Sequence, residues 1–357
     1  MQTHAIHTAA HVDDALYRSP FTYVLADGRR CSLTLSQAQL TLAIGDLPAL
    51  RLDVHLDGQQ VRLRATHPLA EPVPAQALLP VLAEFFCRPA QLDTLSLELA
   101  VTPAWAVQAV REGVFDQVEP LADGCRLQVR RASFWQHPAL WLRRGASGFA
   151  QRFTLTANHR HPVRPPKPEG VVYERHLPHL DLTFSLRTLD IEQDLITFNR
   201  WMNLPNVASV WDQADDTQTH AQFLAAQQAD PHTQTLFGCF NGEPFAYFEL
   251  YWVKEDRLAP FCQAGDYDRG IHILVGNRRH QGPAKLEAWL RSLFHYAFLD
   301  DPRTQTVYGE PRVDNQRWIA YMQEQGGVKL REFDFPHKRA ALISLARETF
   351  FQEYGPR

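Results

Sequence analysis

The stretch that decides the fold is IHILVGNRRHQGPAKLEAWL, residues 271–290. Apolar residues form a strand that ends at Gly276, and a helix begins near Pro283, because proline is favoured at the first helical position. Helix N-terminal amides, a glycine and two guanidinium groups together favour anion binding. The stretch therefore predicts a strand, a phosphate-binding turn and a helix, and the alternative is a surface turn with solvated charges. The turn contributes Arg278, Arg279 and Gly282.

The composition is that of a globular protein. The chain has 357 residues, of which 45% are hydrophobic and 21% charged, and this length predicts two domains. The net charge of −4 argues against a nucleic-acid partner, which usually selects a basic face. The N-terminus lacks the pattern of a signal peptide, and no apolar run is long enough to cross a membrane. We expect a soluble, cytoplasmic protein with no membrane partner.

Cysteines and histidines do not predict a metal site. The five cysteines are scattered and never form a C-x-x-C pair, so we expect reduced thiols. The densest histidine pair, His159 and His161, lies in a proline-rich stretch, and no H-E-x-x-H motif is present. We therefore expect no metal.

The proline-rich stretch, residues 157–170, predicts an exposed linker between two domains. We place an N-terminal domain at 1–160, the linker at 161–172 and a second domain at 173–357. In the first half, Asp-Gly pairs between alternating apolar runs predict hairpins, and two segments have helical spacing. This half carries no chemical motif, and we interpret it as a structural or dimerising α+β domain.

The second half has the element order β-α-α-β-β-β-α-β-α-β-β, with a hairpin turn at Asn241-Gly242. This order, together with the RHQGPA loop at 279–284, resembles the GNAT acetyltransferases and their Q/R-x-x-G-x-G/A loop. Residues 198–212, 267–276 and 309–317 more narrowly resemble the hydroxylysine acetyltransferases of aerobactin-type siderophore synthesis and the mycobactin lysine acyltransferases.

The resemblance covers roughly residues 173–350 and implies the fold class. We expect an α+β protein whose C-terminal GNAT fold has a mixed, mostly antiparallel sheet flanked by helices. The strand and helix alternation of the N-terminal α+β domain would suit a degenerate second copy of that fold.

The resemblance also implies a co-substrate, acetyl-CoA or another acyl-CoA. Its pyrophosphate would lie on the turn before the long helix, and its thioester beside the preceding strand. The donor-binding residues implied are Ile273, Leu274, Val275, Arg278, Arg279, Gln281, Gly282, Pro283 and Ala284.

Two residues are implied to be catalytic. By the alternation of a strand, His272 faces away from Ile271 and Ile273, and in the GNAT fold this position lies where the acceptor nitrogen arrives. Asp314 follows the next strand, so the two side chains can converge, with the carboxylate orienting the imidazole. The alternatives are a hydrogen-bonded core histidine and an aspartate that caps the following helix.

The acceptor pocket is expected to contain Asn203, Trp211, Glu249 and Arg312, whereas Trp201 is more typical of a core. Glu249 lies on an apolar strand, where an unpaired carboxylate is costly. It binds either the ammonium of the acceptor or an arginine. Many GNAT proteins have a tyrosine that protonates the leaving thiolate, seven residues after the asparagine that opens the helix. Counting from Asn315, this position holds Met322, and we assign no role to the neighbouring Tyr321.

The sequence thus predicts an acyl-CoA-dependent N-acyltransferase that converts a small N-hydroxylated diamine or diamino acid into a hydroxamate. Two alternatives stay open: acylation of an ordinary amine such as lysine or an aminoglycoside, and a non-catalytic CoA-binding partner protein. A homodimer and contacts with other siderophore enzymes are also left open.

Overall fold

The computed structural model describes residues 17–18, 23–24, 28–36, 38–57, 60–67, 73–87, 92–143, 149–156 and 159–356. The chain divides into two compact units, Met1–Phe134 and Trp135–Arg357. None of the described helices is long and apolar enough to cross a membrane. The units divide ahead of the domain limits drawn from the sequence, and those limits remain a prediction.

The first unit is built on one mostly antiparallel sheet. Its strands are β1 (Tyr17–Arg18), β2 (Tyr23–Val24), β3 (Arg30–Ser36), β4 (Gln39–Ile44), β5 (Leu50–Asp57), β6 (Gln60–Ala65), β7 (Thr94–Leu99), β8 (Gln117–Leu121) and β9 (Gly124–Arg130). Its helices are α1 (Leu79–Phe86), α2 (Pro103–Arg111) and α3 (Arg131–Phe134). The predicted Asp-Gly hairpins correspond to β2–β3 and β5–β6, although Asp27, Gly58 and Gln59 lie outside the described residues.

The second unit has ten strands among the described residues. They are β10 (Phe153–Thr156), β11 (His159–Pro162), β12 (Val171–Leu177), β13 (Leu182–Thr188), β14 (Thr233–Phe240), β15 (Glu243–Trp252), β16 (Arg269–Val275), β17 (Thr306–Gly309), β18 (Val328–Asp334) and β19 (Arg339–Ala346). The helices are α4 (Ile191–Met202), α5 (Pro205–Trp211), α6 (Thr217–Ala229), α7 (Pro283–Asp300), α8 (Gln316–Glu324) and α9 (Arg347–Thr349). Asn241 and Gly242 both have positive φ, as the predicted turn between β14 and β15 requires.

The two units share one strand order. The sheet of the second unit runs β12-β13-β14-β15-β16-β17-β19-β18, and that of the first runs β1-β3-β4-β5-β6-β7-β9-β8. In each sheet one central pair is parallel, β16 with β17 and β6 with β7, and one helix connects the two strands of that pair. The shared order supports the interpretation of the first unit as a reduced second copy, in which β3 and β4 are joined without counterparts of α4 to α6.

The parallel pair in the second unit separates soon after it forms. Strand β16 pairs with β15 along its whole length but pairs with β17 only at Arg269 and Gly270. Gly276 donates its N–H to Phe245 of the β15 side, so by alternation the N–H groups of Ile271, Ile273 and Val275 point to the opposite edge. The N–H of Ile271 serves the parallel pairing of Gly270 with Tyr308, and those of Ile273 and Val275 lie where the two strands have separated. The fold therefore leaves backbone donors of β16 open beyond residue 271.

The proline-rich stretch does not have the exposure expected of a linker. Arg164 is buried, and its guanidinium donates to both carboxylate oxygens of Glu255 at 2.6 and 2.5 Å while covering the ring of Trp252 at 4.3 Å. His161 is also buried and lies in β11. The expectation of an exposed linker was wrong at His161 and Arg164, because a fully paired arginine can be buried where a lone charge cannot. Other residues of the stretch are exposed as expected: Arg160, Pro166, Glu169 and Gly170.

Candidate active site

His272 lies between two carboxylates, one on each neighbouring strand. In the antiparallel register it lies directly across from Glu249 of β15, and its Nδ1 is 2.7 Å from a Glu249 carboxylate oxygen. The parallel register pairs Gly270 with Tyr308, and continuing it by two residues brings Glu310 opposite His272. The Nε2 atom of His272 is 2.6 Å from a carboxylate oxygen of Glu310. We call His272, Glu249 and Glu310 the carboxylate–histidine array.

Buried groups hold both carboxylates of the array. Tyr247 donates its hydroxyl to Glu249 at 2.8 Å, and Tyr251 donates its hydroxyl to Glu310 at 2.9 Å. Lys338 donates its ammonium to the backbone carbonyl of Glu310 at 2.7 Å. The side chains of Glu310 and Glu249 are only 1% and 7% exposed, whereas that of His272 is 21% exposed, so the imidazole is the part that an incoming molecule can reach.

The array fixes the charge of His272. Burial alone would lower the pKa of the imidazole, but the negative charges and hydrogen bonds of Glu310 and Glu249 raise it to about 10. Burial would raise the pKa of Glu310, but the positive imidazolium lowers it to about 2. At neutral pH both imidazole nitrogens therefore donate protons, one to each carboxylate, and the array carries one net negative charge.

The partner predicted for His272 was wrong. Asp314 is exposed and its carboxylate accepts three hydrogen bonds from Arg312, at 3.0, 3.3 and 2.7 Å. This pairing lowers the pKa of Asp314. The carboxylates at His272 come from Glu249 and Glu310, because residues directly across a strand register are closer than a residue four positions further along a loop. Asn315, and not Asp314, caps α8.

The expected acceptor residues lie in different environments. Trp211 places its ring edge-on to His272, with centroids 6.1 Å apart, as a pocket residue would. Among the described residues Glu249 binds no arginine, and its partners are His272 and Tyr247. Asn203 uses its amide to donate to the carbonyls of Asn199 and Asp215, which shapes the loop after α5 and leaves the amide engaged away from His272.

Trp201 has the core position that the sequence favoured. It is 3% exposed and packs against Phe237 with ring centroids 5.2 Å apart. Gly276 faces the same indole, since a Cβ built there would lie 2.1 Å from the ring. Leu274 belongs to this core cluster as well, and its backbone N–H points towards β15, so neither group faces the open edge of β16 where a donor was expected.

The turn after β16 has the features of an anion site. Helix α7 begins at Pro283, its first hydrogen bond runs from Leu286 N–H to the carbonyl of Gly282, and the preceding amides have no acceptor within the helix. Gly282 has φ of +128° and open space around it. The side chains of Arg278, Arg279, Gln281, Pro283 and Ala284 are exposed. Arg279 is 82% exposed and only 3.8 Å from Glu243, so an incoming phosphate could engage its guanidinium.

Sequence reasoning missed Glu310, Tyr247, Tyr251 and Lys338. Glu310 could have been found, since it follows the strand that runs parallel to β16 and the register brings it opposite His272. The tyrosines gave no such signal, because alternating aromatic residues on a strand are typical of a core. Tyr321 has a buried hydroxyl without a hydrogen-bond partner among the described residues, and burial raises its pKa to about 12.

Comparison with known proteins supports this description. The family described as "Acetyltransferase (GNAT) domain" matches residues 190–335. A protein of Schizosaccharomyces pombe is 45% identical over 232 residues, 65% of this chain and 69% of that protein. The N(6)-hydroxylysine O-acetyltransferase of Escherichia coli is 38% identical over 229 residues, 64% of this chain and 72% of the relative.

Two further matches agree. The N(5)-hydroxyornithine:cis-anhydromevalonyl coenzyme A-N(5)-transacylase of Beauveria bassiana is 43% identical over 196 residues, 54% of this chain and 43% of that protein. A crystal structure of an uncharacterized Bacillus halodurans protein shares the fold, with a TM-score of 0.50 and 24% identity, over 52% of this chain and 96% of the other.

The chain therefore belongs to the GNAT acyltransferases, and it is an enzyme of acyl transfer. The fold class and the resemblance to the acyltransferases of siderophore biosynthesis, both drawn from the sequence, are confirmed. The described residues contain no group of three or more histidine, cysteine or acidic side chains that could hold a metal ion.

Proposed function

We propose that this enzyme transfers the acyl group of an acyl-CoA to the hydroxylamine nitrogen of an N-hydroxylated diamine or diamino acid. The product is a hydroxamate, the iron-binding group of a siderophore. The observation that carries the proposal is the carboxylate–histidine array at the open edge of β16. Relatives named for hydroxylysine and hydroxyornithine support the acceptor class.

The array suits an acceptor that arrives without its own positive charge. An N-hydroxyamine is less basic than a simple amine and is largely unprotonated at neutral pH. His272 is itself protonated, so it cannot take a further proton, but the array as a whole carries one negative charge. One proton returned to a carboxylate, directly or through the imidazole, makes the array neutral.

The reaction then balances as a direct transfer. The hydroxylamine nitrogen attacks the thioester carbonyl, a C–N bond forms, and the C–S bond breaks with departure of the CoA thiolate. The proton lost by the nitrogen is taken up by the array. An outward N–H of β16, that of Ile273 or Val275, would donate to the oxyanion that forms. No side chain needs to carry the acyl group.

The turn between β16 and α7 would hold the donor through its phosphates. Gly282 adds no Cβ at this turn, and the first amides of α7 have no helical acceptor. Arg278 and Arg279 supply charge that an anionic pyrophosphate would neutralise. The residues present therefore fit an acyl-CoA.

Thiol release from acetyl-CoA tests the proposal. The purified protein would be offered N-hydroxylysine, N-hydroxyornithine, N-hydroxycadaverine and the matching unhydroxylated amines in parallel. We expect turnover with at least one hydroxylated acceptor at a kcat/KM well above that of its plain amine. Turnover confined to plain amines would contradict the proposal, and so would acyl-CoA binding without turnover on any acceptor or donor.

A variant ties the turnover to the site. His272→Gln keeps a polar side chain but removes the charge, and general acid–base groups contribute about 100- to 10,000-fold to rates. We expect kcat to fall by about 100-fold or more, with the KM for acetyl-CoA nearly unchanged. Unchanged kcat in this variant would exclude a catalytic array at His272.

A further inference from the structure

A group of basic side chains surrounds Phe335 next to the array. The Cζ atom of Arg257 lies 5.4 Å from the centroid of the Phe335 ring, and the ammonium of Lys338 lies 5.6 Å from it. The ring of His337 stacks on Phe335 with centroids 5.5 Å apart. We call Arg257, His337 and Lys338 the basic rim.

The fold holds the rim in place. Phe335 is buried, and its N–H donates to the carbonyl of Lys338 at 2.8 Å, which closes the turn between β18 and β19. Lys338 also contacts Glu310, whose carboxylate binds His272. The rim is thus one residue removed from the imidazole.

The two cations of the rim differ in their pairing: Lys338 forms an ion pair with Glu310 at 3.9 Å, whereas Arg257 does not. Arg257 is exposed and makes no ion pair within the part of the chain that the structure describes. The pKa of His337 is lowered by partial burial and by the positive charges of Arg257 and Lys338, while Glu310 and Asp212 oppose that effect. Glu310 is already bound by His272 and Tyr251.

Two different groups lie next to the array. The ring of Trp211 lies edge-on to His272, with centroids 6.1 Å apart. Lys338 of the rim contacts Glu310, whose carboxylate binds the same imidazole. A molecule bound at His272 therefore has Trp211 as a direct neighbour, and the rim lies behind Glu310.

We propose that the basic rim binds a substrate carboxylate, and that this carboxylate is the α-carboxylate of an amino acid acceptor. The inference rests on the proposed function and narrows its acceptor class to diamino acids over decarboxylated diamines. A guanidinium is the group best suited to recognise a carboxylate, because its donors match both oxygens. The other possible source of the carboxylate is a dicarboxylic acyl group, such as succinyl, on the donor.

The test compares matched substrates in wild type and Arg257→Gln. The acceptor comparison uses N-hydroxylysine against N-hydroxycadaverine, which lacks only the carboxylate, with acetyl-CoA as donor. Hydrogen bonds to charged groups are worth enough to shift binding by about 10- to 100-fold. We expect wild type to prefer N-hydroxylysine, and we expect Arg257→Gln to raise the KM for N-hydroxylysine by about tenfold or more while leaving N-hydroxycadaverine unaffected.

Controls separate recognition from damage to the fold. Arg152→Gln alters another exposed arginine of the same unit, outside the site, and should change neither acceptor. Arg257→Lys should recover part of the preference, since it restores the charge. A second comparison uses succinyl-CoA against acetyl-CoA as donors, with N-hydroxycadaverine as acceptor. If Arg257→Gln changes only the preference between these donors, the carboxylate bound by the rim belongs to the donor.

The outcomes are distinct. Loss of the acceptor preference supports the proposal, and loss of the donor preference alone supports a carboxylate site but overturns its assignment to the acceptor. If Arg257→Gln changes neither preference, the proposal that the rim binds a carboxylate is overturned. If the enzyme acts only on plain amines, the proposed function fails and the rim is tested with lysine against cadaverine. If no turnover is seen, calorimetry measures the binding of N-hydroxylysine and N-hydroxycadaverine to wild type and to Arg257→Gln. Tighter binding of N-hydroxylysine that is lost in Arg257→Gln supports the rim, and equal binding to both proteins overturns it.

Discussion

Replacing Glu310 by glutamine probes the array most sharply, because it removes one charge while keeping a side chain of the same shape. Two carboxylates raise the pKa of His272 from 6.5 to about 10 against the opposing effect of burial. An adjacent opposite charge is worth about 1 to 3 pKa units, so in Glu310→Gln the imidazole should titrate at about 7 to 9. The net charge of the array changes from −1 to 0 at neutral pH, and its capacity to accept a proton falls accordingly.

Two assays follow from that change. The pKa of His272 can be measured by NMR titration of the imidazole signals, with His272→Gln identifying the resonance among sixteen histidines. The kcat for hydroxamate formation should fall by about 100-fold, the lower range of acid–base contributions. Asp314→Asn is the matched control: its carboxylate is 63% exposed and bound to Arg312, so we expect a His272 pKa like wild type and a kcat within about threefold of it.

The reasoning would be refuted by a wild-type His272 that titrates near 6.5, or by a Glu310→Gln variant with the wild-type pKa and rate. A large loss of activity in Asp314→Asn with little loss in Glu310→Gln would restore the pairing that the sequence predicted.

Three further predictions concern stability and donor binding. His272 has a raised pKa, so the stability it contributes is complete below about pH 6.5 and is lost as pH rises towards about 10, whereas the stability from Glu310 is present above about pH 4.5 and is lost as pH falls towards about 2. The difference in unfolding free energy between wild type and His272→Gln should therefore be largest between about pH 4.5 and 6.5. A difference that does not change with pH in urea titrations would contradict this. Gly276→Ala should lower the unfolding free energy by about 1 to 3 kcal/mol in the same titrations, because the new Cβ meets the Trp201 ring, and an unchanged midpoint would exclude that packing. The double substitution of Arg278 and Arg279 by glutamine should raise the KM for acetyl-CoA and make that KM less dependent on salt concentration, with little change in kcat. A change in kcat with an unchanged KM would argue against phosphate binding at this turn.

Much of the fold could be predicted from the sequence because its signals are local. The strand, turn and helix of residues 271–290 depend on periodicity and on Pro283, and β16 and α7 appear where those signals place them. The Asn241-Gly242 hairpin follows from two residues that tolerate positive φ. His272 and Trp211 were identified through the resemblance, and the structure brings their rings together.

The partners of His272 were harder to predict, because they depend on pairing between strands distant in sequence. Glu249 and His272 are 23 residues apart, and Glu310 is a further 38 away. The sequence offered Glu249 as an unexplained carboxylate but not the histidine that explains it. Asp314 was named and Glu310 was missed, because a motif shows which residues occur together, whereas the strand register decides which of them touch.

The packing of the proline-rich stretch was missed for a similar reason. Prolines and basic residues are typical of exposed segments, yet Arg164 is buried by its ion pair with Glu255, 91 residues away. Local composition carries no information about a partner that far along the chain.

The most direct test of the central claim is to identify the product formed from N-hydroxylysine and acetyl-CoA. Acylation on nitrogen gives a hydroxamate that forms a coloured ferric complex, whereas acylation on oxygen or on the α-amino group gives a product of the same mass without that complex. We predict that wild type forms the coloured complex in step with thiol release and that His272→Gln forms it about 100-fold more slowly. Thiol release of equal rate without a ferric complex, or an undiminished rate in the variant, would contradict the account.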